Sequence, residues 1–226
     1  IDRKQLNYIL ADLNFNGTDS QFFENDSEEI VMTLGNLELQ QYVINTNDDI
    51  SLINCGQLHS LLFKYVPYPD DNGKYRDGTA LLKRGTIQPV PYYEINDRIN
   101  NLDEELQFFM KNIDQYEIGE YIEQVAYFTY KFIVIHPFRD GNGRISRAIM
   151  NWLLRKKKIP PIYIDQKCRK EYYDALSKID LEEDPVPFIM FIEKRIIYTM
   201  IELHRYLFVD EIDEEEINEE AEVNGN

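Results

Sequence analysis

Only two cysteines, Cys55 and Cys168, occur in 226 residues, and they stand far apart with no CxxC or His/Cys spacing. That excludes a zinc cage and a disulfide framework, and it suits a reducing compartment. Basic charge is also short: 24 Lys and Arg against 41 Asp and Glu leave a net charge of −17. Such a surface repels a phosphate backbone, so no nucleic-acid partner is expected. The longest apolar runs, such as residues 132–135, fall far below the roughly 20 residues that cross a bilayer, and mean hydropathy is −0.47. A soluble protein without a membrane partner is expected, with the cytoplasm as its default location. The chain has no GxxxxGK[ST] and no GxGxxG, which removes a P-loop and a dinucleotide fold, and it shows no internal repeat. It begins at Ile1 rather than Met, so residues before it, including a removed targeting segment, are left open.

Helical periodicity is plentiful. Tyr121, Ile122, Val125, Phe128, Phe132 and Ile133 recur at helical spacing, with Glu120, Glu123, Gln124 and Lys131 largely between them. Further helices are expected over about 20–29, 37–44, 50–65, 95–112, 143–158, 169–179 and 186–208. The exception is 79–91, two short extended pieces around Lys83-Arg84-Gly85 closed by prolines, which reads as a small β-hairpin. From Asp210 to Glu222 the chain carries nine carboxylates in thirteen residues and no basic residue. This acidic stretch reads as a solvated tail or helix extension. The expected fold is all-α with one small hairpin.

Chemistry concentrates in His136-Pro-Phe-Arg-Asp140-Gly-Asn-Gly143-Arg-Ile-Ser-Arg147, between two helical patterns. Pro137 pushes His136 out of the α region, so the preceding helix must stop there and present the imidazole at its end. Asp140-Gly-Asn-Gly143 packs turn formers together, and the next helix starts at about Gly143 with its unpaired N–H groups facing the same loop. Free amides at a helix start, unobstructed at Gly141 and Gly143, can wrap phosphate oxygens. Arg144 and Arg147 lie three residues apart and reach toward one face, and guanidinium matches phosphate oxygens in pairs. Asp140 is the single carboxylate inside the loop, enough for a magnesium ion that takes phosphate oxygens and water as its other ligands. His136 can take a proton from a hydroxyl attacking phosphorus. Taken one at a time these are a turn residue, a solvated helix face and a structural histidine. Contiguous, they describe phosphoryl or nucleotidyl transfer.

The stretch His136-Pro-Phe-Arg-Asp-Gly-Asn-Gly-Arg144 with Arg147 resembles the signature of Fic-domain proteins, HxFx(D/E)GNGRxxR, at every defining position. The resemblance implies transfer of AMP from ATP to a Ser, Thr or Tyr hydroxyl of a target protein, with Mg2+. It makes His136 the general base and Asp140 the magnesium ligand. Gly141, Asn142 and Gly143 become the cradle for the α- and β-phosphates, and Arg144 and Arg147 the holders of the outer phosphates. Phe138 is then a core anchor for the loop. Gly73-Lys-Tyr-Arg76 resembles the G-x-(F/Y)-R segment before the Fic flap, which places the flap at about 79–91, where it clamps the target by backbone pairing. Tyr172-Tyr173 resembles the region closing over adenine, with Tyr173 the nucleotide contact; Asp180 departs from an Asn that some relatives carry near the base. Asn151 shares a face with Arg144 and Arg147, and a site role and a packing role both stay open. His59 and His204 are expected to be structural.

Fic proteins are often inhibited by a helix bearing (S/T)xxxE(G/N), and Ser20-Gln-Phe-Phe-Glu24-Asn25 fits that pattern. The resemblance implies that Glu24 pairs with Arg147 and so misaligns ATP. The implied organisation is an N-terminal helical region over 1–70 with the inhibitory helix at about 18–30, a catalytic core over 71–208, and an acidic tail over 209–226. Removal of AMP, transfer of another nucleotide or phosphocholine at the same site, and a non-catalytic nucleotide-binding module are the alternatives. The target protein is unnamed by the sequence, and self-modification and a homodimer are left open.

Overall fold

The computed structural model describes residues 28–49, 51–66, 72–80 and 86–223, with side chains between 32 and 208. Seven α-helices lie in these residues: α1 Glu28–Asn45, α2 Cys55–Leu62, α3 Ile95–Lys111, α4 Ile118–Ile135, α5 Asn142–Lys156, α6 Arg169–Glu182 and α7 Val186–Val223. The architecture is all-α, as the periodicity implies.

The centre is an antiparallel hairpin of α4 and α5. A capping box opens α4, in which Glu117 and Glu120 satisfy each other's orphan backbone N–H groups. Its apolar stripe, Tyr121, Val125, Phe128 and Phe132, is buried against Ile145, Ala148, Ile149 and Leu153 of α5. The Tyr121 hydroxyl donates to the Leu153 carbonyl at 2.6 Å, which sets the start of α4 beside the end of α5. Each such ring removed from water is worth roughly 1.5–3 kcal/mol, so this pair carries much of the stability. From α3, Phe109 stacks on Tyr121 and Phe128 at ring separations of 5.3 and 5.5 Å. On the other side, α6 and α7 join through Tyr172, Phe188 and Phe191.

Helix α1 runs parallel to α5. Tyr42 meets Trp152 edge-on at 6.1 Å, and one turn further the Arg155 guanidinium donates to the carbonyls of Val43 and Thr46 at the end of α1. A cation there satisfies carbonyls that the helix leaves unpaired. Gly35 lets α1 touch α2: a Cβ on it would lie 1.9 Å from the Leu62 carbonyl oxygen. We expect Gly35→Ala to destabilise the fold by about 2 kcal/mol, since overpacking against backbone cannot be relieved by a rotamer change. A thermal melt unchanged from the parent would contradict this close approach.

Three expectations need correction. The sequence reading breaks the chain between helices at 20–29 and 37–44, whereas α1 is continuous from Glu28 to Asn45 because Gly35 serves packing rather than a turn. Helix α2 is shorter than 50–65, because the Leu52 N–H is taken by Asp103 Oδ1 at 2.5 Å and the chain turns before Cys55. The hairpin at 79–91 is not seen: no strand occurs among the described residues, and 81–85 lie outside them. Its described flanks bond elsewhere, with the Gly78 and Val90 carbonyls accepting from Arg76 and the Val90 N–H donating to the Val134 carbonyl. The acidic stretch continues α7 as helix to Val223, in keeping with the good helix propensity of glutamate. Ser20 and Glu24 lie outside the described residues.

Candidate active site

The loop between α4 and α5 holds the motif. Helix α4 ends at His136, whose backbone is left-handed (φ 50°, ψ 57°). Pro137 forbids the α region to its predecessor as expected, but the residue escapes to the left-handed side rather than to the extended one. The imidazole stands at this cap, close enough to Asp140 of the loop to feel its charge. Its Nδ1 is buried without a hydrogen bond of ordinary geometry. Burial pushes the imidazole pKa down and Arg76 adds to the effect, while the Ile133 carbonyl and Asp140 oppose it.

Phe138 is wholly buried and anchors the loop, as expected, against His59 (4.3 Å) and Tyr75 (5.6 Å). The Asn142 side chain closes the turn, accepting from the Phe138 N–H at 2.9 Å and donating to the Phe138 carbonyl at 2.7 Å. With that side chain committed inward, only the Asn142 backbone faces the loop mouth. Gly141 caps α5 in the left-handed region at φ 81°, and a Cβ there would lie 2.8 Å from both Leu62 and Phe63. Glycine is required twice over, by conformation and by space. Gly143 is exposed in the first turn, whose N–H groups have no carbonyl one turn back.

Asp140 stands at the rim with its side chain 75% exposed; its Oδ1 accepts from the Gly141 N–H at 2.6 Å and its Oδ2 pairs with Arg144 at 3.2 Å. The Arg144 side chain is 24% exposed and its guanidinium lies 5.4 Å above the Phe63 ring. The Arg147 guanidinium reaches back over the helix start, 3.5 Å from where a Cβ of Gly143 would sit. The structure thus gathers His136, Asp140, Gly141, Asn142, Gly143, Arg144 and Arg147 at one helix N-terminus, a positive focus in a strongly acidic chain. One exposed carboxylate beside a glycine-rich nest fits a magnesium ion shared with phosphate, and Asp140 is the residue that would hold it.

Tyr173 stands on α6, half-buried, under the Arg169 guanidinium at 5.9 Å and against Tyr172, whose hydroxyl is itself beside Arg147. Asn151 settles into packing: its amide brackets Ile162, donating to the carbonyl at 3.1 Å and accepting from the N–H at 2.9 Å. His59 is structural, and more consequential than its sequence setting suggests. Its Nδ1 accepts the Gly73 N–H at 3.0 Å while the ring is held between Phe63 and Phe138, so it joins α2, the segment at 72–76 and the motif loop. Arg76 was noticed only as part of a resemblance; in the structure its guanidinium bonds the carbonyls at the end of α4.

Residues 50–154 match the family model described as Fic/DOC family, and the chain belongs to that family. It is 33% identical over 150 residues to the protein adenylyltransferase Fic of Aedes aegypti, a match covering 66% of this chain and 28% of that protein. The chain therefore spans little more than a quarter of that relative. Among solved structures, a Fic-1 fragment from C. elegans superposes with a TM-score of 0.71 at 21% identity, covering 94% of this chain and 59% of the other. The N-terminal Fic domain of a Bartonella quintana effector with bound ADP gives 0.62 at 17% identity, covering 74% and 83%. Both share the helical fold. No helix among the described residues is long and apolar enough to cross a membrane.

Proposed function

We propose that the chain carries a protein adenylyltransferase site that transfers AMP from ATP to a side-chain hydroxyl of a protein. The observation that carries the reading is the short loop that joins the left-handed cap at His136 to the glycine-capped, arginine-bearing start of α5, with Asp140 close enough to act on the His136 ring. The relatives' name and the ADP-bound neighbour support it.

In this reading the triphosphate rests on the backbone N–H groups from Gly141 to Gly143, with Arg144 and Arg147 on its outer oxygens. The acceptor oxygen attacks the α-phosphorus, the bond from that phosphorus to the bridging oxygen breaks, and pyrophosphate leaves. His136 takes the hydroxyl proton. Nδ1 is buried, which leaves Nε2 as the nitrogen that acts as the base in this reading. A lowered pKa keeps the ring neutral, the form that accepts a proton. Magnesium, held by Asp140, would offset charge on the phosphates. Tyr173 is assigned the adenine side. The test is incubation with ATP and magnesium, then intact-mass measurement of the chain and of a mixture of Ser-, Thr- and Tyr-containing peptides. Mass gains of one AMP support the reading; no gain in either, with nucleotide bound, contradicts it.

Autoinhibition by Ser20 and Glu24 belongs to the same proposal. Its support is the course of α1, which begins at Glu28 and at Gly35 lies against Leu62, itself beside Gly141 at the α5 start. A Glu24 carboxylate there would occupy Arg147 in place of phosphate. Glu24→Gly should raise the rate of AMP incorporation about tenfold or more, the scale of one charge-assisted contact. An unchanged or lower rate would remove the brake.

A further inference from the structure

We propose that Arg76 is a positioning residue, tying the catalytic base and the chain at Gly78 and Val90 to one guanidinium so that the left-handed cap at His136 is held in place. Its Nε donates to the His136 carbonyl at 2.8 Å, Nη1 to the Gly78 carbonyl at 2.8 Å, and Nη2 to the carbonyls of Val90 (2.5 Å) and Ile135 (3.4 Å). Its own N–H donates to the Pro137 carbonyl at 2.8 Å. One residue thus holds three consecutive carbonyls, 135 to 137, around the left-handed cap, together with those of Gly78 and Val90.

The placement is demanding. Arg76 is 4% exposed, and the partners it is given among the described residues are carbonyls rather than carboxylates. A buried guanidinium without a counter-ion is costly unless dipoles replace water. The negative end of α4 supplies them. His136 in the left-handed region costs about 1–2 kcal/mol for a non-glycine residue, and such a conformation persists only when its surroundings fix it. Arg76 fixes it from the carbonyl side. Lysine has the charge but not the planar fork that reaches carbonyls in several directions.

The proposal rests on the adenylyl-transfer reading only for its kinetic consequence; the clamp itself is testable without nucleotide or acceptor. The charges acting on the His136 ring are Arg76, which disfavours imidazolium, and Asp140, which favours it. In the nucleotide-free chain, Arg76→Met should therefore raise the His136 titration midpoint read by NMR, and should speed amide exchange at Val90 and His136. Arg76→Lys should keep the midpoint near the parent's yet still loosen those amides. With ATP and the peptide mixture, both variants should lose kcat, by about a hundredfold for Met and about tenfold for Lys, the scale of a misplaced reacting group. Both should leave ADP affinity unchanged. Should Arg76→Met fail to fold, as judged by its melt, Arg76→Lys carries the exchange and kinetic arms. An unmoved midpoint in a folded Met variant, or unmoved amides in Lys, would overturn the clamp. Absence of transfer by the parent would instead count against the adenylyl-transfer reading.

Discussion

His136→Asn should reduce AMP transfer by about 10²–10⁴-fold, the usual contribution of a positioned general base, while ADP affinity stays within about twofold of the parent. Asparagine is the informative replacement because it tolerates the left-handed backbone found at this position (φ 50°), so the loop keeps its shape while the base is lost. An equal loss of affinity and rate would mean that His136 shapes the nucleotide site rather than accepting a proton. The pH profile checks the same residue independently. Burial disfavours the imidazolium, so the neutral base persists to lower pH than for a free histidine, and the acid limb of kcat/KM should lie below about 6.5. A limb displaced above that value would contradict the assignment.

The second large effect belongs to Gly141. A valine there must adopt φ 81° and place its Cβ 2.8 Å from Leu62 and Phe63, which displaces the nest proposed to hold phosphate. ADP affinity should fall by about a hundredfold or more, some 2.7 kcal/mol, and transfer should fall with it. Gly119→Ala is the control, since a Cβ there meets nothing within 4 Å. Titration calorimetry with ADP separates the two, and a Gly141→Val protein that binds ADP like the parent would refute the nest as the phosphate site.

What could be read from the sequence divides along physical lines. The motif was legible because its constraints are local: Pro137 stops a helix, Gly141 and Gly143 clear a turn, and two arginines three apart share a face. The stripe of α4 followed from periodicity, whereas the burial of Phe138 was implied by the resemblance. The left-handed cap did not, because the proline rule removes a conformation without choosing among the rest. The continuity of α1 through Gly35 rests on contact with the Leu62 carbonyl, twenty-seven positions on, which no local pattern reveals. Asn142 and Asn151 share a residue type, yet one closes the loop and the other brackets Ile162, and tertiary geometry alone separates these from phosphate contacts. Arg76 is sixty residues from the carbonyl of His136 that it holds. Its signal in the sequence was one of two basic residues in Gly73-Lys-Tyr-Arg76, and a charge near a loop ordinarily reads as solvated.

The most direct measurement compares label from the α- and γ-phosphates of ATP, with magnesium present, after reaction of the chain with itself and with hydroxyl-bearing peptides. Nucleophilic attack on the α-phosphorus at the α5 N-terminus predicts stable incorporation of α-label, an added mass of one AMP and release of γ-label in pyrophosphate, all lost in His136→Asn. Incorporation of γ-label, or α-label incorporated equally by His136→Asn, would contradict the account.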